Sequence, residues 1–144
     1  MYDQPVPRDR LPNAGSERPA EPTVMSRYAF LVTAGPDRVG SALNAVEYAH
    51  QLEAAGHTVA IYLDGAATQW PGELETRADH PLSKGLAAAI EKDLVAACGF
   101  CAAAFGGASG CRDAGVPLLG EAGAEHGPDV GELVADGYTL LPVG

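Results

Sequence analysis

Tyr28-Ala-Phe-Leu-Val-Thr33 is an apolar, partly β-branched run that stops at Ala34-Gly35-Pro36, and Thr58-Val-Ala-Ile-Tyr-Leu63 stops in the same way at Asp64-Gly65. Each reads as a short buried strand bounded by turn residues. Between them Val39, Ala42, Leu43, Val46, Ala49 and Leu52 recur at three- and four-residue spacing. That period predicts an amphipathic helix from Arg38 to Ala55, with Gly56 as its stop. A strand, a helix and a second strand joined by a Gly-His turn make a βαβ unit. Such a unit demands parallel pairing and a right-handed crossover.

Working outward, Asp93-Leu-Val-Ala-Ala97 predicts a third strand that runs straight into Cys98. Val116-Pro-Leu-Leu119 predicts a short fourth strand, which Pro117 confines to an edge. Tyr138-Thr-Leu-Leu141 reads as the final strand. Helical pieces are expected from Pro81 to Glu91, Phe100 to Phe105, Gly110 to Ala114 and Asp129 to Ala135. Residues 64–81, where Trp70 stands among Gly, Pro and acidic residues, read as a long loop with one short helical turn. No internal repeat is visible. The fold class expected is α/β: a three-layer domain with a mainly parallel sheet of about five strands.

A chain of 144 residues favours one domain, and 47% hydrophobic with only 6% aromatic residues argues for a core of small side chains. Lys and Arg number 9 against 19 Asp and Glu, a net charge of −10. That balance excludes a nucleic-acid binder that works by phosphate neutralisation, and a polybasic membrane-docking protein. Residues 1–27 carry four Arg, four acids and five of the eleven prolines, so this stretch is neutral and reads as a disordered or loosely held tail. The body, 28–144, then holds the whole excess, with five basic residues against fifteen acids. Solubility is the ordinary use of such a surface. No run has the length of a membrane span, and no apolar leader opens the sequence, so the expected location is the cytoplasm. Met25-Ser26 directly precedes the first strand and is a candidate start.

The distinctive chemistry lies in three cysteines: Cys98-Gly-Phe-Cys101 and Cys111. An odd count without a leader argues against a disulfide framework. Cys98 falls where the third strand gives way to a helix, at the carboxyl edge of the sheet where sites form in α/β domains. Backbone N–H groups at that junction favour the thiolate, and Cys101 follows one turn on, close enough to act as a resolving thiol. Packing is the competing reading for a small cysteine in an Ala-rich strand end, and most of all for Cys111. A C-x-x-C beside a βαβ unit also suggests dithiol redox chemistry, but here it follows the third strand and no cis-Pro signal pairs with it. A zinc site drawn from Cys98, Cys101, Cys111 and one of His80 or His126 is a further alternative, weakened by the lack of a second C-x-x-C.

These segments in this order resemble the DsrE/DsrF-like family of small sulfur-relay proteins. The resemblance rests on Val-Thr-Ala-Gly-Pro at the first strand end and Leu52-Glu-Ala-Ala-Gly56-His-Thr-Val59 at the helix end. It is extended by Tyr62-Leu-Asp-Gly-Ala66, by Leu94-Val-Ala-Ala-Cys98-Gly-Phe-Cys101-Ala, and by Gly106 eight positions beyond Cys98. It covers residues 28–141. It implies a parallel α/β domain assembled as a homo-oligomer, a trimer or hexamer. It also implies a persulfide on the strand-end cysteine, which maps to Cys98, with Cys101 matching the second cysteine of C-x-x-C members. Sulfur would come from a donor protein and pass to an acceptor protein. The Trp70-Pro-Gly-Glu-Leu74 loop and the segment from Ala108 to Cys111 depart from the sulfur-relay pattern and look like a divergent subgroup.

Accessory candidates are Cys111, His80, Arg38 and Trp70. His80, before Pro81, is an acid/base candidate for the cysteine edge. Arg38 opens the first helix and is a candidate anion contact, although the turn lacks both G-x-G-x-x-G and a P-loop. Trp70 is a candidate rim or subunit contact. His57 is expected in the helix-to-strand turn and His50 on a helix face or interface. No cofactor is expected and no metal ligand is assigned. A non-catalytic binding or regulatory subunit with structural or metal-binding cysteines is the alternative function, as is a C-x-x-C dithiol redox protein.

Overall fold

β1 (Arg27–Val32) and β2 (Thr58–Leu63) pair in parallel, from Arg27 opposite Thr58 to Val32 opposite Leu63, with α1 (Val39–Ala54) crossing between them. Gly56 ends the crossover helix at φ +97°, a backbone conformation that costs a residue with a Cβ. The structure, a computed structural model, describes residues 25–120 and 126–144, so the expected tail lies outside it as far as residue 24. β1 begins at Arg27, inside the stretch assigned to that tail.

The remaining elements are a 3₁₀ turn (Gly65–Gln69), α2 (Trp70–Leu74), α3 (Ser83–Glu91), β3 (Val95–Cys98), α4 (Gly99–Phe105), α5 (Ala108–Ala114), β4 (Leu118–Leu119), α6 (Val130–Ala135) and β5 (Tyr138–Val143). All pairings are parallel and the strand order is β4-β3-β2-β1-β5. The domain is therefore α/β, a five-stranded parallel sheet flanked by helices, as the periodicity predicts. Both strands that contain proline, or directly follow it, lie at the edges, where a missing N–H is tolerated.

The strand order decides how the layers fill. The steps from β1 to β2, β3 and β4 all run in one direction, so right-handed connections stack their helices on one face. The core agrees: Phe30, Val32, Ile61, Leu63, Val95 and Ala97 pack with Ala42, Val46, Ala49, Trp70 and Leu86. Only the connection into β5 reverses direction, and it carries α6, whose buried residue is Leu133. On that thinner side Leu31, Tyr62, Ala96 and Leu140 stay partly exposed.

Two local readings change. Asp93 sits at φ 59° and the third strand starts at Val95, because the end of α3 and a left-handed turn occupy the first residues assigned to the strand. The stretch 64–81 is more helical than the expected loop with one short turn: Gly65–Gln69 is a 3₁₀ turn and α2 follows to Leu74, since Pro71 stands in the first turn of α2, where no hydrogen-bonded N–H is needed. Only the part from residue 75 onward is irregular. No helix among the described residues is long and apolar enough to cross a membrane.

Candidate functional site

The carboxyl ends of β2, β3 and β4 make one row. Leu63 pairs with Ala97, so the next residues, Asp64 and Cys98, come side by side, and Cys98 pairs with Leu119. The chain returning from β4 toward β5 passes this row. Gly127 lies so close to Leu119 that an added Cβ would sit 2.5 Å from the Leu119 Cβ, which fixes the preceding residue, His126, over the edge. The Gly127–Pro128 peptide is cis, so a cis-Pro does stand next to the site, contrary to the sequence reading.

Four donor atoms converge here. The Cys98 and Cys101 sulfurs, the His126 imidazole and an Asp64 carboxylate oxygen all lie within 4.8 Å of one another. Cys98 Sγ and Cys101 Sγ are each 3.6 Å from the same atom, His126 Nδ1. Cys98 caps α4, its sulfur accepting the Cys101 backbone N–H at 3.4 Å. Asp64 accepts the Gly65 N–H at 2.9 Å, which fixes the carboxylate at the strand end. The His126 ring rests against Phe100, with centroids 4.3 Å apart. Cys98 is fully buried and Cys101 nearly so, whereas His126 is exposed. Approach to the sulfurs is therefore from the His126 side.

Burial pushes the Cys101 thiol up to about 12, and its hydrogen bond to the Asp64 carboxylate adds to the shift by favouring the protonated form. At neutral pH Cys101 is a thiol. Cys111 is also raised, to about 11, by burial, with the Arg112 charge working the other way.

The structure brings together the two principal residues of the sequence reading, Cys98 and Cys101, and adds His126 and Asp64. It leaves the accessory candidates elsewhere. Cys111 is buried in α5 and its thiol donates to Thr68 O at 3.4 Å, so it is not a member of the cluster. His80 accepts the Leu82 N–H at 3.1 Å and lies against Trp70, so it closes the turn before α3 instead of serving the cysteines. Trp70 is 1% exposed and its indole N–H donates to Ala34 O at 2.7 Å, which rules out a rim role: an apolar ring with one satisfied donor belongs in the core. Arg38 is exposed at the start of α1, outside the cluster, and makes no side-chain cap bond there. His57 accepts the Ser26 N–H at 3.1 Å in the expected turn, and His50 bonds Gly85 O at 2.8 Å, tying α1 to α3.

Asp64 was visible in the sequence only as a strand stop. Its part in the site follows from the β2–β3 register, which no local pattern encodes. Comparison of the chain with protein-family models, with curated proteins and with solved structures finds no significant match.

Proposed function

We propose that the protein is a sulfur carrier of the type its resemblance to the DsrE/DsrF-like family implies, with Cys98 bearing a persulfide. The observation that carries this reading is the contact of Cys98 Sγ with His126 Nδ1 at 3.6 Å, with a second thiol, Cys101, one helical turn away. An imidazole nitrogen at that position accepts the thiol proton, and the Cys101 backbone N–H bonds the sulfur that would carry the charge.

The transfer is redox-neutral. The Cys98 thiolate attacks the outer sulfur of a donor persulfide, forming one S–S bond as the donor S–S bond breaks. The electron pair leaves on the donor thiolate, which takes a proton from solvent. An acceptor thiolate repeats the exchange at the outer sulfur and restores Cys98. Donor and acceptor proteins are partners in this reading, and His126, the exposed member, is the group they would meet. Self-association as a trimer or hexamer belongs to the same proposal. It is supported by Val130 and Val134, one turn apart on the outer side of α6 and about half exposed at 45% and 57%.

Loading the reduced protein from a small-molecule persulfide and reading its intact mass is the test. The wild type gains one sulfur, and Cys98→Ser gains none. Absence of the gain in wild type, or an equal gain in the variant, ends the carrier reading.

A further inference from the structure

We infer that Asp64, Cys98, Cys101 and His126 form a binding site for a borderline-soft divalent cation, zinc foremost. The inference goes beyond sulfur carriage and does not depend on it. It shares the two sulfurs and His126 with that reading, and the sulfurs cannot hold a cation and a persulfide at once.

Geometry is the first argument. Zinc bonds of about 2.3 Å to sulfur and about 2.05 Å to nitrogen, at the tetrahedral angle, place the two donor atoms about 3.6 Å apart. Both Sγ–Nδ1 separations are 3.6 Å. A neutral imidazole Nδ1 carries either one lone pair or one N–H and so makes one strong hydrogen bond, whereas here two sulfurs stand at the same distance from it. A shared centre accounts for both. The carboxylate of Asp64, held at the strand end by the Gly65 N–H, completes four donors within 4.8 Å of one another.

Donor chemistry is the second. Two thiolates, an imidazole and a carboxylate are a zinc set, whereas magnesium and calcium call for oxygen alone. The supports expected around such a site are present. Gly65 N–H orients the Asp64 carboxylate and Cys101 N–H orients Cys98. The approach is acidic: Asp129, Glu132 and Asp136 line, with His126, a cavity of about 370 Å³ on the α6 side. That lining favours a cation over an anionic ligand. On binding, each thiol gives its proton to solvent as the sulfur takes the metal.

The test is a metal titration of the reduced, metal-stripped full chain, which needs no persulfide donor and so stands or falls apart from the carrier reading. Cobalt(II) should bind one per chain, with thiolate-to-metal charge-transfer absorption and the intense visible bands of a tetrahedral site, and zinc should displace it. In competition with a chromophoric chelator, Asp64→Asn and His126→Gln each weaken zinc binding by about tenfold or more. Cys98→Ser and Cys101→Ser lose the charge-transfer band, and Cys111→Ser keeps full binding. Both Asp64 and His126 reach the surface, and circular dichroism of each metal-free variant confirms its fold. No cobalt spectrum in wild type overturns the site, as does zinc binding by both Asp64→Asn and His126→Gln at wild-type strength.

Discussion

Cys98 and Cys111 are both completely buried, thirteen residues apart in a small domain, yet their surroundings share almost nothing. Cys98 ends a strand and meets an imidazole, a second thiol and a carboxylate, which arrive from the loop before α6, from α4 and from the residue that follows β2. Cys111 lies in the middle of α5 among apolar neighbours and finds one partner, the backbone carbonyl of Thr68. Around Cys111 the helices approach closely: a Cβ on Gly110 would sit 2.5 Å from the Gly72 Cα. Burial therefore does not separate a cysteine in a cluster of polar donors from one that only packs. What separates them is whether side-chain donors from several elements converge on the sulfur.

Removing a large buried ring should be expensive and removing an exposed one at the edge cheap. Trp70→Ala removes a ring that is 1% exposed and leaves the Ala34 carbonyl without its donor. A loss of about 3–5 kcal/mol of stability is expected, read from urea unfolding. His126→Ala, at an exposed position, should cost less than about 0.5 kcal/mol while altering the site. Equal costs for the two would erase the distinction.

Gly127→Ala tests how the edge is held. The new methyl meets the Leu119 Cβ on β4, and the loop must shift to admit it. Overpacking of this kind costs about 1–3 kcal/mol. The sharper readout is at the site. His126 should move off the two sulfurs, so cobalt charge-transfer intensity falls although no donor has been changed. Unaltered cobalt spectra would mean that the Leu119 contact does not position His126.

Much of this was legible in the chain and some was not, for physical reasons. The βαβ opening could be read because strand and helix periods are local properties of Tyr28 to Leu63. Cys98 and Cys101 could be read because a C-x-x-C at a strand end is a local pattern. Asp64 could not, since its neighbour Cys98 is supplied by the pairing of Leu63 with Ala97, 34 positions apart in sequence. His126 was one of two zinc alternatives, and the choice over His80 depends on where the chain crosses on its way to β5. Trp70 misled because Gly and Pro flank it, and those residues serve a short helix start as readily as a loop.

Cys111→Ala keeps the helix and deletes a sulfur that fills space and donates to Thr68 O. About 1–2 kcal/mol of stability should be lost at pH 7, with sulfur loading and zinc binding intact. Cys98→Ser should lose both sulfur loading and zinc binding. A Cys111→Ala variant that loses sulfur uptake would move Cys111 into the site and collapse the comparison.

The smallest effect expected is also the most specific to burial. The Cys111 thiol is raised from the ordinary 9.0 to about 11 in the fold. Between those values the native state keeps a proton that the unfolded chain has released, so stability falls as pH rises through that window and is independent of this group below it. The slope contributed by one group is at most about 1.4 kcal/mol per pH unit. Cys101, raised to about 12, adds a parallel loss in both wild type and Cys111→Ala, and it cancels in their difference. The deficit of Cys111→Ala should therefore stay constant up to about pH 8, begin to shrink near pH 9, and be smaller by about 1.4 kcal/mol at pH 10. Urea midpoints of the two reduced, metal-free proteins at pH 7, 8, 9 and 10 give the answer. A deficit unchanged at pH 10 would mean that the buried sulfur of α5 ionises as freely as one in solvent.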